Sequence, residues 1–470
     1  MTEKYLNIHG HFYQPPRQDV LSGEIPVETG THPYQNWNEK IHAECYRPNA
    51  ELGNFSRISF NIGPTLLQWM EEYDPGIYHS IIQQENSNYQ KYGVGNGMAQ
   101  AYNHTILPLA TRMDKITQLE WGIADFIHRF GHHPAGLWLP ETAVDLVSLK
   151  LMAERGIQYT ILAPWQADAQ RLDVRKPYRV KLGNGLSLAV FFYQMDISTR
   201  LSFDPASTVN ADQFLLQYIL PNFTNGRSQL KEVITLASDG ELYGHHQPFR
   251  DRFLAHLSKN SGSMQGVEVT YPGRILQDFS YLPEIRIREN TSWSCHHGVL
   301  RWREECPCTP GASWKSPMRA GLNSIARLLD RAYQKMISEF AGDPLAVRNA
   351  YIYVMLNDQP WDDFSKQWFG NKISSVQKER LKALMKAQVA RQWMFTSCGW
   401  FFDEFDRIEP RNNIGYAAQA VYLTELATEE ELFSRSIKAI CPVKSERTGL
   451  QARNVFEATY LRCIKALNSD

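Results

Sequence analysis

The sequence has 470 residues, of which 43% are hydrophobic, and its formal net charge is −1. This length and composition are enough to bury the core of one large domain and a smaller appendage. Acidic and basic residues are interspersed along the chain, which offers neither a basic stripe for nucleic acid nor a polybasic anchor for a membrane. No apolar run is long enough for a bilayer span or for a signal peptide, so a cytoplasmic location is the default expectation.

The seven cysteines are few and odd in number, which favours reduced thiols over a disulfide framework. One segment, SCHHGVLRWREECPC, contains ligand types that suit zinc, namely Cys295, His296, His297, Cys306 and Cys308. Zinc sites usually separate paired cysteines by two to four residues, and the Cys-Pro-Cys pair is tighter. The sequence therefore predicts no metal and no other cofactor. The favoured interpretation of this segment is a loop with polar substrate contacts and buried thiols, and a zinc site is the alternative.

The first 270 or so residues alternate short apolar strands with helical patterns, which is typical of β-α units around a parallel sheet or barrel. Strands are predicted at residues 5–9, 57–61, 135–139, 159–162 and 232–237. Helices are predicted between them at residues 65–73, 115–130 and 145–155. Residues 178–193 contain Gly-Asn-Gly at their centre and predict an antiparallel hairpin inserted into this pattern.

Beyond residue 315 the hydrophobic period becomes helical. The residues that carry it are Leu322, Ile325, Ala326, Leu329, Ala332, Met336, Ile337 and Phe340. Further helices are predicted at 347–356, at 378–395 and near the end of the chain. We therefore expect a catalytic barrel over 1–314 and a helical domain over 315–470 that packs on it.

Polar residues directly after strands are the informative positions, because β-α barrels place catalytic groups at the carboxyl ends of their strands. Three segments qualify: HGHFYQP from His9, WLPE ending at Glu141, and SDGELYGHH around Asp239. Glycoside hydrolysis needs two carboxyl groups in different protonation states. Glu141 and Asp239 are the candidates for that pair.

These segments resemble motifs of glycoside hydrolase family 57, whose members act mainly on α-glucans. His9-Gly10-His11-Phe12-Tyr13-Gln14-Pro15 is similar to the family's first motif, with Phe12 and Tyr13 as an interruption. Trp138-Leu139-Pro140-Glu141 matches the nucleophile motif, and Asp239-Gly240-Glu241-Leu242-Tyr243-Gly244 matches the acid/base motif. The resemblance implies that Glu141 is the nucleophile and Asp239 the general acid/base.

The chain is also similar to an α-amylase-like bacterial subgroup in which this barrel is joined to a domain of unknown function. The segments that carry this likeness are AYNH at 101–104, ENTSWSC at 289–295 and TSCGWFF at 396–402. The resemblance implies an incomplete seven-stranded (β/α)7 TIM-like barrel followed by a C-terminal helical bundle. It also implies a retaining mechanism, in which the two carboxyl groups lie roughly 5 to 6 Å apart.

Several further side chains are predicted to bind an oligo- or polysaccharide substrate. Histidines can donate hydrogen bonds to sugar hydroxyls, Glu241 can bind a hydroxyl or adjust the pKa of Asp239, and tryptophans offer faces for stacking. The predicted set is His9, His11, Gln14, His104, Trp138, Glu241, His245, Trp293 and Trp400. Each of them also has a structural interpretation, as a core residue or a cap.

Three alternatives to α-glucan hydrolysis stay open at this point. An α-glucanotransferase or branching enzyme would use the same two carboxylates and release the covalent intermediate to a sugar hydroxyl. A metal-dependent carbohydrate hydrolase would use His9 and His11 with an Asp as ligands. A non-catalytic glycan-binding relative would keep the cleft without turnover.

Overall fold

The computed structural model describes residues 3–224, 231–261 and 265–467. The chain forms two compact units. Unit 1 comprises residues 1–14, 27–101 and 126–294, and unit 2 comprises residues 15–26, 102–125 and 295–470. These discontinuous units differ from the predicted division at residue 314.

Unit 1 contains the nine described strands, most of which run parallel to their neighbours. They are β1 (Lys4–Phe12), β2 (Ser59–Ile62), β3 (Met98–Gln100), β4 (Gly136–Trp138), β5 (Tyr159–Leu162), β6 (Tyr178–Gly183), β7 (Leu186–Phe192), β8 (Glu232–Asp239) and β9 (Val267–Thr270). β1 pairs with β8 along one edge, while β2 and β9 pair with the two halves of its other edge. A second sheet has the order β3-β4-β5-β7-β6. The five predicted strands correspond to β1, β2, β4, β5 and β8.

Two short connections join these sheets into a ring of seven parallel strands with open seams. A parallel bridge links Phe60 of β2 with Gly97, which precedes β3. On the other side, the amide of Gln194 after β7 donates to the carbonyl of Thr235 in β8 at 2.7 Å. Since single contacts replace full ladders at both seams, the barrel is incomplete. The predicted (β/α)7-type fold is confirmed.

The hairpin in unit 1 forms around residues whose backbone is left-handed. β6 and β7 pair antiparallel, and Asn184 and Gly185 between them have φ values of 51° and 76°. Asn and Gly tolerate that conformation, which a two-residue turn of this kind requires. β6 therefore lies at the outer edge of the sheet, beside β7.

Short helices cover the strands of unit 1. They are α1 (Trp37–Ile41), α2 (Arg47–Glu51), α3 (Pro64–Tyr73), α4 (Pro75–Tyr92), the end of α5 (Arg112–Phe130), α6 (Leu146–Glu154), α7 (Met195–Phe203), α8 (Ala211–Phe214), α9 (Arg250–His256) and α10 (Pro272–Asp278). A core of buried aromatic and aliphatic side chains fills the space between the strands, with Tyr159, Ile161 and Phe191 among its members. This packed core fixes the strand ends that carry the polar residues.

Unit 2 is helical. Besides most of α5 it contains α11 (Lys315–Ile337), α12 (Pro344–Ala350), α13 (Ile352–Met355), α14 (Trp361–Phe369), α15 (Ser375–Trp393), α16 (Ile408–Thr428), α17 (Phe433–Ile440) and α18 (Ala452–Leu467). The predicted helix at 347–356 is divided into α12 and α13. Among the described residues, no helix is both long and apolar enough to cross a membrane.

A buried ionic cluster explains why residues 102–125 belong to unit 2. Arg391 of α15 contacts both carboxylate oxygens of Asp330 at 2.9 and 2.8 Å and donates to Asp114 of α5 at 2.9 Å. Arg348 of α12 lies 3.3 Å from Asp114. Each of these charges needs its partners because it is largely removed from water. The cluster joins α5 to helices more than 200 residues away, which a pattern of local periodicity does not show.

Candidate active site

The register of three parallel strands brings polar side chains together at the carboxyl end of β1. His11 of β1 lies opposite Asn61 of β2 on one side and opposite Asp239 of β8 on the other. His9 lies two residues earlier on the same face, opposite Ser59. Alternate residues of a strand face the same side, so these groups share one face of the sheet.

Hydrogen bonds hold both histidine rings in place. His9 contacts the Ser59 hydroxyl through Nδ1 at 2.7 Å and Asn61 Oδ1 through Nε2 at 3.2 Å. Nδ1 of His11 lies 3.0 Å from Asn61 Nδ2 and 3.1 Å from Asn61 Oδ1. Burial lowers the pKa of His9 to about 3 and that of His11 to about 4, so both rings are neutral near pH 7. His9 is fully buried, whereas 6% of the His11 surface is exposed, so His11 is the better candidate for contact with a sugar hydroxyl.

Glu141 follows β4 in a tight turn whose backbone is left-handed. Glu141 has φ 58° and Thr142 has φ 48°, and neither residue type favours this region. Backbone hydrogen bonds hold the turn, including one of 3.0 Å from the Trp293 amide to the Glu141 carbonyl. The buried side chain of Gln166 accepts from the Thr142 hydroxyl and donates to the Thr142 carbonyl, each at 2.8 Å. The surrounding structure thus enforces a conformation that Glu141 would not choose alone.

The Glu141 carboxylate receives two hydrogen bonds from a segment far along the chain. Trp293 donates through its indole Nε1 at 3.1 Å and Ser294 through its hydroxyl at 2.6 Å, both to Oε2. The Trp293 ring also packs edge-on against Trp138, with 5.0 Å between centroids. Two donors on one oxygen fix the direction of the carboxylate.

Asp239 is the last residue of β8, where its side chain is exposed to solvent although many protein atoms surround it. Burial, together with the charges of Glu241 and Glu141, raises the pKa of Asp239 to about 8. The neighbouring Gly240 passes so close to Phe12 that a Cβ there would lie 2.3 Å from the ring. The strand end therefore needs glycine to keep Asp239 where it is.

Glu241 is buried and held by three donors. The Tyr46 hydroxyl donates to Oε1 at 2.8 Å, and the Tyr13 amide donates to the same oxygen at 3.1 Å. Burial raises the pKa of Glu241 to about 7, although hydrogen bonds from Tyr46, Tyr13 and Gln14 act in the opposite direction. Gln14 also donates to the Tyr46 hydroxyl at 3.3 Å. Glu241 is thus held in a fixed position, from which its charge raises the pKa of Asp239.

The structure gives other roles to several residues predicted as substrate contacts. Trp138 is fully buried and stacks on His9 at 4.5 Å, so neither of these side chains presents a ring face to a ligand. His245 contacts Glu44 at 2.6 Å. His104 and Trp400 belong to unit 2, where His104 contacts the Ser397 hydroxyl and fully buried Trp400 carries the Arg319 guanidinium 3.6 Å above its ring.

Four residues of the site were not predicted from the sequence. Ser294 and Gln166 position the Glu141 turn, Asn61 orients the two histidines, and Tyr46 holds Glu241. Asn61 ends a predicted strand, and Ser294 lies inside the ENTSWSC segment already noted, so a signal existed for these two. Nothing in the local sequence around Tyr46 or Gln166 distinguishes them.

The described residues of unit 1 do not assemble the ligand set of a metal-dependent hydrolase. Within residues 3–224, 231–261 and 265–467, one group of three or more Cys, His, Asp or Glu side chains has its donor atoms close enough together for one ion, and that group lies in unit 2. His9 and His11 instead contact the Asn61 amide. This arrangement argues against the metal-dependent alternative.

Comparison with known proteins relates the two parts of the chain to two family models. The model described as glycosyl hydrolase family 57 matches residues 2–280, and the model described as domain of unknown function (DUF3536) matches residues 312–464. Alpha-amylase 1 of Dictyoglomus thermophilum is 23% identical over 252 residues, which is 50% of this chain and 34% of that protein. A 4-alpha-glucanotransferase of Thermococcus litoralis is 24% identical over 216 residues, 44% of this chain and 30% of that protein.

The chain therefore spans about a third of the length of these curated relatives. Among solved structures, an exo-type maltose-forming amylase of Pyrococcus sp. ST04 has a TM-score of 0.77 at 14% identity. That match covers 98% of this chain and 88% of the amylase. At this level of identity the likeness demonstrates a shared fold.

Proposed function

The chain belongs to glycosyl hydrolase family 57, and from this membership we propose that it is a retaining enzyme acting on α-glucans, with Glu141 as nucleophile and Asp239 as general acid/base. The observation that carries the proposal is the contrast between these two carboxyl groups. Glu141 is held by the Trp293 and Ser294 donors, whereas burial and neighbouring charges favour the protonated form of Asp239. A glycosidase needs one carboxyl group that attacks and one that delivers a proton.

In the first step, a Glu141 oxygen attacks the anomeric carbon while the Asp239 carboxyl donates its proton to the departing glycosidic oxygen. The bond between that oxygen and the anomeric carbon breaks, and a covalent glycosyl ester forms on Glu141. Asp239 is then ionised and can accept a proton from the incoming acceptor. Neutral His11, oriented by Asn61, is proposed to contact a hydroxyl of the sugar bound for cleavage.

In the second step, the acceptor decides the product. Water gives hydrolysis, whereas the hydroxyl of another glucan chain gives transfer or branching. The likeness to an amylase and to a glucanotransferase supports both outcomes for the same two carboxylates. Hydrolysis is the primary proposal, and product analysis separates it from transfer.

The experiment incubates the wild type, Glu141→Gln and Asp239→Asn with maltooligosaccharides and with glycogen. New reducing ends that disappear in both variants would support hydrolysis. Redistribution of chain lengths without new reducing ends would support transfer. Absence of any product from the wild type with both substrates would reject α-glucan turnover and favour a binding role.

Azide rescue assigns the two roles separately, using an α-maltoside with an activated leaving group. In Glu141→Ala, azide takes the place of the missing nucleophile and should give the β-glycosyl azide. In Asp239→Ala, azide attacks the covalent intermediate and should give the α-glycosyl azide. Exchange of these two anomers between the variants would reverse the assignment, and formation of the same anomer in both would contradict a double displacement.

A further inference from the structure

Four side chains with metal-ligand chemistry converge in unit 2, in the segment that precedes α11. Cys295, His297, Cys306 and Cys308 each offer one donor atom, and these four atoms lie within 4.8 Å of one another. Cys295 and Cys306 are buried, Cys308 is half-buried and His297 is exposed. The proposed glucan chemistry uses none of them.

Three of the distances among these donors are close to those of a tetrahedral zinc site. The sulfurs of Cys295 and Cys306 are 3.5 Å apart, and Nδ1 of His297 lies 3.3 Å from Cys306 Sγ and 3.4 Å from Cys308 Sγ. Tetrahedral bonds of about 2.3 Å to sulfur and about 2.0 Å to nitrogen separate two sulfurs by about 3.8 Å and a sulfur from a nitrogen by about 3.5 Å. A disulfide would need a sulfur separation of about 2.05 Å.

Two tight turns explain how unusually short spacings can still present the donors together. The Gly298 amide donates to the Cys295 carbonyl at 3.1 Å, which folds the Cys-x-His arm. The Thr309 amide donates to the Cys306 carbonyl at 2.7 Å, which folds the Cys-x-Cys arm. The fold brings the Cys-x-His and Cys-x-Cys arms together. The tight Cys-Pro-Cys spacing therefore does not prevent the four donor atoms from converging.

A buried lysine lies next to this group. Lys315 is fully buried and donates to the Thr309 hydroxyl at 3.0 Å, and its charge interacts with Cys306 and Cys295. The carboxylate of Asp403 also acts on this charge, although it forms no ion pair with Lys315 among the described residues. A buried cation usually requires a compensating charge. Three thiolates and a neutral imidazole around a divalent ion would carry a net charge of −1 and provide it.

We propose that Cys295, His297, Cys306 and Cys308 bind one structural Zn²⁺ ion per chain. On binding, the three thiols release their protons to solvent and the imidazole coordinates through the lone pair of Nδ1, without any redox change. Four protein ligands close the coordination sphere, as in structural sites, and leave no position for substrate. The ion would fasten the irregular segment 295–309 ahead of α11.

The first test measures metal content by mass spectrometry after purification without chelators. We expect one zinc per chain in the wild type and its loss in Cys308→Ser. Cys441→Ser is the matched control, because Cys441 is exposed and lies outside the group, and it should keep the ion. Less than a tenth of a zinc per chain in the wild type that does not rise on adding Zn²⁺ to the reduced protein would overturn the proposal, as would iron in its place.

A second measurement uses the wild type alone, so it does not depend on whether a variant folds. X-ray absorption at the zinc edge should report three sulfur ligands and one nitrogen ligand. In thiol alkylation of the native protein, bound zinc should keep Cys295, Cys306 and Cys308 unreactive, and removal of the ion by a chelator should make them reactive. A sulfur-free zinc environment, or the same alkylation with and without chelator, would contradict the assignment. Neither measurement depends on glucan turnover.

Discussion

The Ser294 hydroxyl donates a 2.6 Å hydrogen bond to Glu141, although the two residues are 153 positions apart in the sequence. The Trp293 indole donates to the same oxygen, and the Trp293 amide donates to the Glu141 carbonyl. One segment thus positions both the side chain and the backbone of the proposed nucleophile. Loss of the Ser294 hydrogen bond should therefore affect catalysis more than stability.

Ser294→Ala tests this positioning role. The loss of a hydrogen bond to a charged group is worth about 1.5–3 kcal/mol, which corresponds to a fall in kcat/KM of roughly ten- to a hundredfold. Steady-state kinetics with maltooligosaccharides measure it, with Ser187→Ala in the exposed part of β7 as control. Unchanged kcat/KM in Ser294→Ala would show that Trp293 alone positions the carboxylate.

The pKa of Asp239, raised to about 8, predicts the alkaline limit of activity. The general acid must be protonated in the first step, so activity should be present below about pH 8 and decline above it. Glu241→Gln removes a charge that helps raise this pKa, and the alkaline limb should therefore move to lower pH. The measurement is the pH dependence of kcat/KM.

Lys231→Gln serves as control for the pH profile, because Lys231 pairs with Glu3 at the opposite end of the strands from Asp239. It should leave the alkaline limb in place. An unshifted limb in Glu241→Gln would mean that burial and Glu141 set the pKa of Asp239 without a contribution from Glu241. An alkaline limb that persists in Asp239→Asn with residual activity would assign that limb to another group.

Gln166→Leu tests the support of the left-handed turn at Glu141. The Gln166 side chain accepts from the Thr142 hydroxyl and the Ala163 amide, both at 2.8 Å, and the apolar variant would leave these buried groups unsatisfied. Each such group costs about 1–3 kcal/mol, so the free energy of unfolding should fall by about 2–6 kcal/mol. Urea unfolding measures this, and kcat should also decline because Glu141 is less well held.

Gln158→Leu is the control for that variant, since Gln158 is exposed and directly precedes β5, the strand after which Gln166 lies. It should change the stability by less than about 0.5 kcal/mol. Equal effects of the two substitutions would mean that the hydrogen bonds of Gln166 contribute nothing specific. A loss of stability with unchanged kcat would show that the turn keeps its conformation without them.

The strand ends that carry Glu141 and Asp239 were predictable because each follows an apolar strand within a local motif. The hydrogen-bond partners around these two carboxylates were harder to predict from the sequence. Ser294 reaches Glu141 and Tyr46 reaches Glu241 through long-range folding, which leaves no periodic signal in the sequence. The strands β3 and β9 were not predicted, because neither lies in an apolar run as distinct as AGLWL at 135–139, which contains the equally short β4.

The buried cluster of unit 2 predicts how stability depends on acid. Although burial raises it, the charges of Arg391 and Arg348 lower the pKa of Asp114 to about 2 overall. In the unfolded chain an aspartate has a pKa of about 3.9. The contribution of Asp114 is therefore complete above about pH 4 and is lost as the pH falls through about 2. Asp114→Asn should remove this part of the acid dependence and, because it breaks a buried pair, cost about 3–5 kcal/mol at neutral pH.

Thermal or urea unfolding between pH 2 and pH 7 measures both effects of Asp114→Asn. The control is Asp362→Asn, because Asp362 pairs with Lys378 on the exposed surface, where an ion pair contributes little. The control should lose little stability at any pH. If Asp114→Asn kept the full stability of the wild type at pH 7, Asp330 alone would satisfy Arg391, and the link from α5 to α15 would rest on apolar packing instead.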